Sequence, residues 1–172
     1  MTIEFTDQGA LFDTARRYRY TLWRSWATPV KRRVNFIMLN PSTADENVLD
    51  PTVRRCMAFA KMWGYDGAFV TNIFALRATD PRELYKHASP VGSVNDAYIL
   101  HTAEECDLLV AAWGIHGKYK GRGLEVAELL QPWDPQCFAL TKEGHPRHPL
   151  YLRKDAVLMP FRLSVAKELA GL

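Results

Sequence analysis

The order of apolar runs and helical patterns predicts an α/β fold. The expected architecture is three-layer α/β/α, a central four-stranded, mainly parallel sheet with an N-terminal edge strand or ribbon added to it. Three observations carry this reading. Four short runs are apolar without alternation, as strands covered on both faces are. Helical patterns separate them, giving β-α-β-α-β-α-β with crossovers long enough for parallel, right-handed connections. The 172 residues, 48% hydrophobic and 24% charged, have the length and balance of a single globular domain. A chain of about 150 residues buries roughly 70% of its unfolded surface, so no disulfide or metal is needed to hold it together.

Each element has a local cause. Tyr18–Trp26 alternates Tyr18, Tyr20, Leu22 and Trp26 with Arg19, Thr21, Trp23 and Ser25, which reads as the added edge strand or ribbon. The four sheet runs are Val34–Leu39, Gly67–Phe74, Asp107–Trp113 and Cys137–Leu140. Asp50 caps a helix with Pro51 at its first position, and Gly64 stops it. Asp80-Pro81 is a second start, with Glu83 at the capping-box position. Ser93–Cys106 predicts a longer helix with Val94, Ala97, Tyr98 and His101 on one side. Gly123–Leu130 and Leu163–Leu169 predict two more.

Composition excludes several classes of function. No apolar run approaches the roughly 20 residues needed to cross a bilayer, and MTIEFTDQGALFDTARRYRY has no apolar core of a signal peptide. A cytoplasmic protein with no membrane partner is expected. Cys56, Cys106 and Cys137 are odd in number and form no CxxC pair, which argues for buried free thiols and against a disulfide framework or metal cluster. The net charge of +3 is uneven. Residues 1–33 carry seven basic and three acidic groups, against 15 and 16 in the remainder, which is compatible with a polyanionic partner or with a plain solvated surface.

Ligands of open parallel sheets bind beyond the carboxyl ends of the strands, so four segments hold the candidate chemistry. Asn40-Pro41-Ser42-Thr43-Ala44-Asp45-Glu46 offers an amide, hydroxyls and carboxylates on one turn, suited to orienting a water or sugar-phosphate, or simply to capping a loop. Asn72 places an amide inside an apolar strand, where an unpaired polar group costs about 1–3 kcal/mol; its donor and acceptor match a nucleobase edge, or a neighbouring loop. Arg77 follows, within reach of a phosphate or of Asp80. Trp113-Gly114 opens a glycine-rich loop with Lys118, Lys120 and Arg122 before a helix, a natural anion site or a flexible basic loop. It lacks the GxxxxGK[ST] signature of a nucleoside triphosphatase. His145-Pro146 and His148-Pro149 stiffen the last loop, and either step is able to face a ligand. No third metal ligand has recognisable spacing, so neither a metal nor another cofactor is expected.

Taken in order, Leu39-Asn40-Pro41-Ser42, Asn72, Leu108–Gly114 and His148-Pro149-Leu150 resemble the uracil-DNA glycosylase superfamily. More narrowly, MLNPSTADE, DPTVRRC, NIFALRATDP and GHPRHPLYL resemble the bacterial and phage family called domain of unknown function 1643, over about residues 15–160. The wider resemblance implies hydrolysis of the N-glycosidic bond of a damaged or modified base in DNA, although Asn40 stands where many of those enzymes carry a water-activating Asp.

Under that resemblance the base is flipped from its stack. Asn72 reads its edge, Phe74 stacks on it, and Leu150 and Tyr151 fill the vacated space. Asn40 positions a water with Asp45 as general base, and neutral His148 donates to the oxygen where charge develops. Pro41, Ser42, Trp113, Gly114, His145 and Pro149 complete the pocket, while Arg54, Arg55, Arg77, Lys118, Lys120 and Arg153 hold phosphates. The partner is a nucleic acid or a nucleotide. Binding of a nucleotide without hydrolysis and a protein-interaction module remain alternatives, and the sequence sets no oligomeric state.

Overall fold

Asp7–Phe12 (β1) and Arg19–Ser25 (β2) pair antiparallel as a hairpin. They join Arg33–Met38 (β3), Gly67–Asn72 (β4), Leu108–Ala111 (β5), Gln136–Cys137 (β6) and Met159–Pro160 (β7) in one sheet of order β1-β2-β4-β3-β5-β6-β7. The computed structural model describes residues 4–172. Met1, Thr2 and Ile3, which open the stretch read as lacking a signal sequence, lie outside them.

The sheet is therefore seven-stranded and mixed, where four mainly parallel strands were expected. β4, β3, β5 and β6 are parallel neighbours, but β2 runs antiparallel to β4 and β7 antiparallel to β6. β2 is not an edge strand, because β1 lies outside it. Its alternation is lost as well, with both faces largely covered and Arg19 and Arg24 fully buried. The fourth predicted run shortens to two residues. After Cys137 the chain turns back on itself, with Arg147 N–H donating to Ala139 O at 2.8 Å.

Helices cover both faces. Pro51–Met62 (α1) sets Val53, Cys56, Met57 and Ala60 against Val34, Phe36, Val70 and Val110. Asn95–Glu104 (α2), Arg122–Leu129 (α3) and Leu163–Leu169 (α4) contribute Ile99, Ala103, Val126 and Ala166 to the core containing Ile37, Ile73, Leu109 and Ala111. Asp50 caps α1 by accepting from Val53 N–H at 2.8 Å, and Pro51 takes the first turn, where its missing N–H costs nothing. The Asp80-Pro81 start gives only a 3₁₀ helix, Pro81–Lys86.

In α2 the expected face is rotated. Val94 is 45% exposed, and the buried positions are Asn95, Ile99, Thr102 and Ala103. The cause is polar: Asn95 Nδ2 donates to Asn72 O and Ile73 O, drawing an amide into the core where apolar spacing predicts none. Cys56 and Cys137 are buried free thiols, and Cys106 is half-buried.

Across β3 and β4, Asn35 Nδ2 donates to Thr71 Oγ1 at 3.0 Å, and that hydroxyl donates back to Asn35 Oδ1 at 3.2 Å. Both residues are fully buried. Asn35→Ala strands the Thr71 hydroxyl and is expected to cost about 1–3 kcal/mol, read as a lower urea midpoint. Adding Thr71→Val removes the orphan and is expected to restore part of the loss.

Candidate functional site

A cleft of about 340 Å³ opens beyond the carboxyl ends of β3, β4 and β5. That volume lies in the range of small-molecule pockets. Parallel strands deliver their following residues to the same end, which is why Asn40 and Ser42 after β3, Asn72 at the end of β4, and Trp113 and Gly114 after β5 all line it. His148, Leu150 and Tyr151 close one side and the start of α1 another. Tyr151 is 92% exposed at the rim.

Asn72 is 1% exposed at the floor. Its Oδ1 accepts from Arg19 Nη2 at 3.2 Å and its backbone carbonyl from Asn95 Nδ2 at 2.8 Å. These bonds fix the amide's orientation. Nδ2, with no acceptor among the described residues, is the group Asn72 offers to a ligand. Asn40 is set the other way round. Its Nδ2 donates to Pro41 O and Ala78 O at 3.0 and 2.7 Å, leaving Oδ1 as its free polar atom.

His148 stands at the start of a 3₁₀ turn, Pro149–Tyr151, with Nδ1 accepting from Leu150 N–H at 3.3 Å. An accepting Nδ1 puts the ring proton of neutral histidine on Nε2. Burial lowers the His148 pKa, opposed by the charge of Asp50, so the neutral form prevails at pH 7. Gly114 brings the β5 loop alongside, at φ 73° and with its N–H on Pro146 O at 2.8 Å.

Burial lowers the pKa of His145 too. Both histidines then bind protons more weakly folded than unfolded, so stability is present above the ordinary histidine value of 6.5 and falls as pH drops through it. The urea midpoint is expected to decline between pH 7 and 5, and His148→Gln to flatten that decline.

Several expected site residues lie elsewhere. Asp45 accepts from the Asn47 and Val48 amides, both at 2.8 Å, which hold its carboxyl below the usual range, and it does not line the cleft. Both amides bond one oxygen, Oδ1, and a carboxyl held down in this way is a weaker base. Phe74 is wholly buried, 5.8 Å from Tyr119 between ring centres, with no face open to a base. Pro41 and Pro149 are buried and do not line the cleft. His145 lines a different cavity with Lys118, Glu143 and Leu169, so of the two His-Pro steps it is His148-Pro149 that reaches the cleft.

None of the expected phosphate ligands lines the cleft, although Arg77 adjoins it through its neighbour Ala78. Arg54 is exposed on α1. Arg55 donates to Leu152 O and lies over the Phe59 ring at 4.8 Å, tying α1 to the His148 loop. Lys118 pairs with Glu143 at 3.3 Å and Arg153 with Asp155 at 2.9 Å. Lys120 sits 5.6 Å from the centre of the Tyr119 ring, and Arg77 donates to Arg16 O at 3.1 Å. The glycines of that loop have a packing role. A Cβ at Gly117 would come 2.2 Å from Trp113 Cδ1, and one at Gly123 2.7 Å from Trp113 Nε1.

The sequence reading missed Arg19 and the placement of Asp50. Arg19 is 1% exposed, lines the cleft, and donates to Ala44 O at 2.8 Å as well as to Asn72; its Nε has no partner among the described residues. Burial pushes its pKa down to about 10, against the opposing charge of Asp50. Asp50 is the one carboxylate among the described lining residues, and it acts on both Arg19 and His148. Its helix-capping pattern was visible in sequence, but its place in the cleft was not. Among the described residues no cluster of three or more His, Cys, Asp or Glu is able to hold a metal, and no helix is long and apolar enough to cross a membrane.

Residues 19–150 match the model of the family described as Protein of unknown function (DUF1643). The chain belongs to that family. The DUF1643 span runs from Arg19 to Leu150 and so takes in both ends of the cleft, leaving Tyr151 and Arg153 outside. β1, β7 and α4 also fall outside it. Neither the curated proteins nor the solved structures give a match.

Proposed function

We propose that this DUF1643 protein binds a nucleobase of a nucleic-acid strand in the cleft and hydrolyses its N-glycosidic bond. The observation that carries the reading is the pairing of a locked amide, Asn72, with a neutral histidine whose Nε2 is the proton-bearing nitrogen, His148, in one partly enclosed cleft. Asn72 Nδ2 would donate to an acceptor on the base edge. His148 Nε2 would donate to the base oxygen on which charge collects as the C–N bond breaks, a role that needs the neutral ring. Asn40 Oδ1 would hold the attacking water, and Leu150 and the exposed Tyr151 ring would occupy the space the base leaves. The parallel strands β4, β3, β5 and β6 support the resemblance to the uracil-DNA glycosylase superfamily.

The test is strand breakage after alkali on single- and double-stranded oligonucleotides carrying uracil, hypoxanthine, mismatched thymine or hydroxymethyl bases. Breakage with one lesion, lost in His148→Ala, would support the reading. No breakage by the folded wild type across the panel would turn attention to the second reading, nucleotide binding without hydrolysis. The position of Asp45, away from the cleft and bonded within its own turn, favours that second reading. It predicts a thermal shift with free nucleosides or nucleotides that Asn72→Ala abolishes.

A further inference from the structure

Two of the seven basic residues among the first 33, Arg16 and Arg17, stand with Arg77 at one lip of the cleft. The β1–β2 turn folds back on the segment after β4. Arg77 N–H donates to Arg17 O at 2.9 Å, and Arg77 Nη1 to Arg16 O at 3.1 Å. The Arg16 guanidinium lies 3.8 Å and that of Arg77 5.0 Å from the centre of the Phe12 ring. An aromatic face orients a guanidinium while leaving its N–H edge free. Among the described residues no carboxylate hydrogen-bonds Arg17 or Arg77, which contact His87 and a backbone carbonyl. Arg16 pairs with Glu46, the side chains 47% and 39% exposed, and the charges of Arg16 and Arg77 also act on the nearby Asp45 carboxyl.

This lip is continuous with the site. Ala78, next to Arg77, lines the cleft and accepts from Asn40 Nδ2, while Arg19 lies at the other end of the same turn and reaches Asn72. The turn also keeps a costly residue. Arg16 has φ 55°, a left-handed conformation in which glycine is favoured. Backbone strain of this kind tends to persist where a side chain is used.

We propose that Arg16, Arg17 and Arg77 form the backbone-binding lip of the cleft, and that the phosphodiester chain of a nucleic-acid strand crosses the β1–β2 turn rather than the Lys118–Lys120 loop. The inference rests on the nucleobase reading of the cleft and adds the path of the strand. Phosphate contacts of this kind position a strand without reading its sequence.

The experiment is fluorescence anisotropy of a labelled, unmodified 20-nucleotide single-stranded DNA across a salt series, with thermal melts of every variant to confirm folding. Arg17→Gln with Arg77→Gln is expected to lower the slope of log K against log salt by about 1.4, two released counterions on a single strand. Lys118→Gln with Lys120→Gln is expected to leave it unchanged. Arg16→Gly is expected to weaken binding without lowering the melting temperature, because glycine relieves the left-handed strain. If the slope follows the lysines, or neither pair, the lip is wrong while strand binding stands. If the wild type binds no oligonucleotide but a free nucleoside raises its melting temperature and Asn72→Ala cancels that rise, the lip is wrong and the pocket stands. If neither DNA nor nucleosides bind, both readings fall.

Discussion

Gly144→Ala is expected to lower the melting temperature by roughly 6–12 °C, the shift that about 3 kcal/mol produces in a chain of this size. Two effects add. Gly144 has φ 81°, where a side chain is strained whatever the space around it. There is also no space, because an added Cβ would lie 2.3 Å from Ala166 O and 3.0 Å from its carbonyl carbon. These are backbone atoms of α4, so relief means moving the helix off the loop. That loop continues through His145, whose N–H rests on Thr141 Oγ1 at 3.0 Å, to His148. Differential scanning calorimetry of the single variant checks the prediction. Gly64→Ala is the control, with φ 78° but nothing within 4 Å, and is expected to show the strain alone.

His148→Ala is expected to slow the proposed glycosidic hydrolysis 100- to 1000-fold, about 3–4 kcal/mol in the barrier, with little change in binding. A hydrogen bond to an oxygen that gains charge along the reaction strengthens toward the transition state, so its loss appears in kcat rather than KM. Single-turnover kinetics at saturating enzyme separate the two. Collapse of binding with a surviving rate per bound complex would contradict the assigned role. Because the proposed role needs neutral His148, the rate should also fall as pH drops through the range in which that ring takes up a proton, in step with its burial-lowered pKa. Asn72→Ala differs in kind. It removes the acceptor of the buried Arg19 Nη2, so some loss of stability is expected with the loss of binding.

What the sequence made legible follows how local the physics is. The Asp50-Pro51 start of α1 and the limits of α4 are set within one helical turn, and both appear where the pattern places them. Asn72 was legible because an amide in a run as apolar as Phe69–Phe74 must be bonded or used, and it is bonded to Arg19 and aimed at the cleft. Arg19 was not legible. Its burial depends on the carbonyl of Ala44, 25 residues away, and alternation in β2 suggested solvent. Asp45 and Asp50 lie five residues apart in one loop with the same chemistry, and only the fold of residues 44–50 decides which enters the cleft. β7, two residues long, has no periodicity to read and owes its existence to β6.

The shortness of β6 and β7 divides the cleft into unequal halves. β3 is held by six residue pairs to β4 and four to β5, whereas β6 meets β5 at a single pair and β7 at two. Asn72 is part of the first group, and His148 hangs from the segment between the last two strands. Local opening draws on the weakest cooperative unit. Amide exchange should therefore leave the β3–β4 amides protected nearly to global unfolding, while residues 138–158 exchange through a cheaper excursion. The half of the cleft that would recognise a ligand is then permanent, and the half that would act on it assembles and disperses. A bound ligand spanning both would slow exchange in the distant loop without a change of shape.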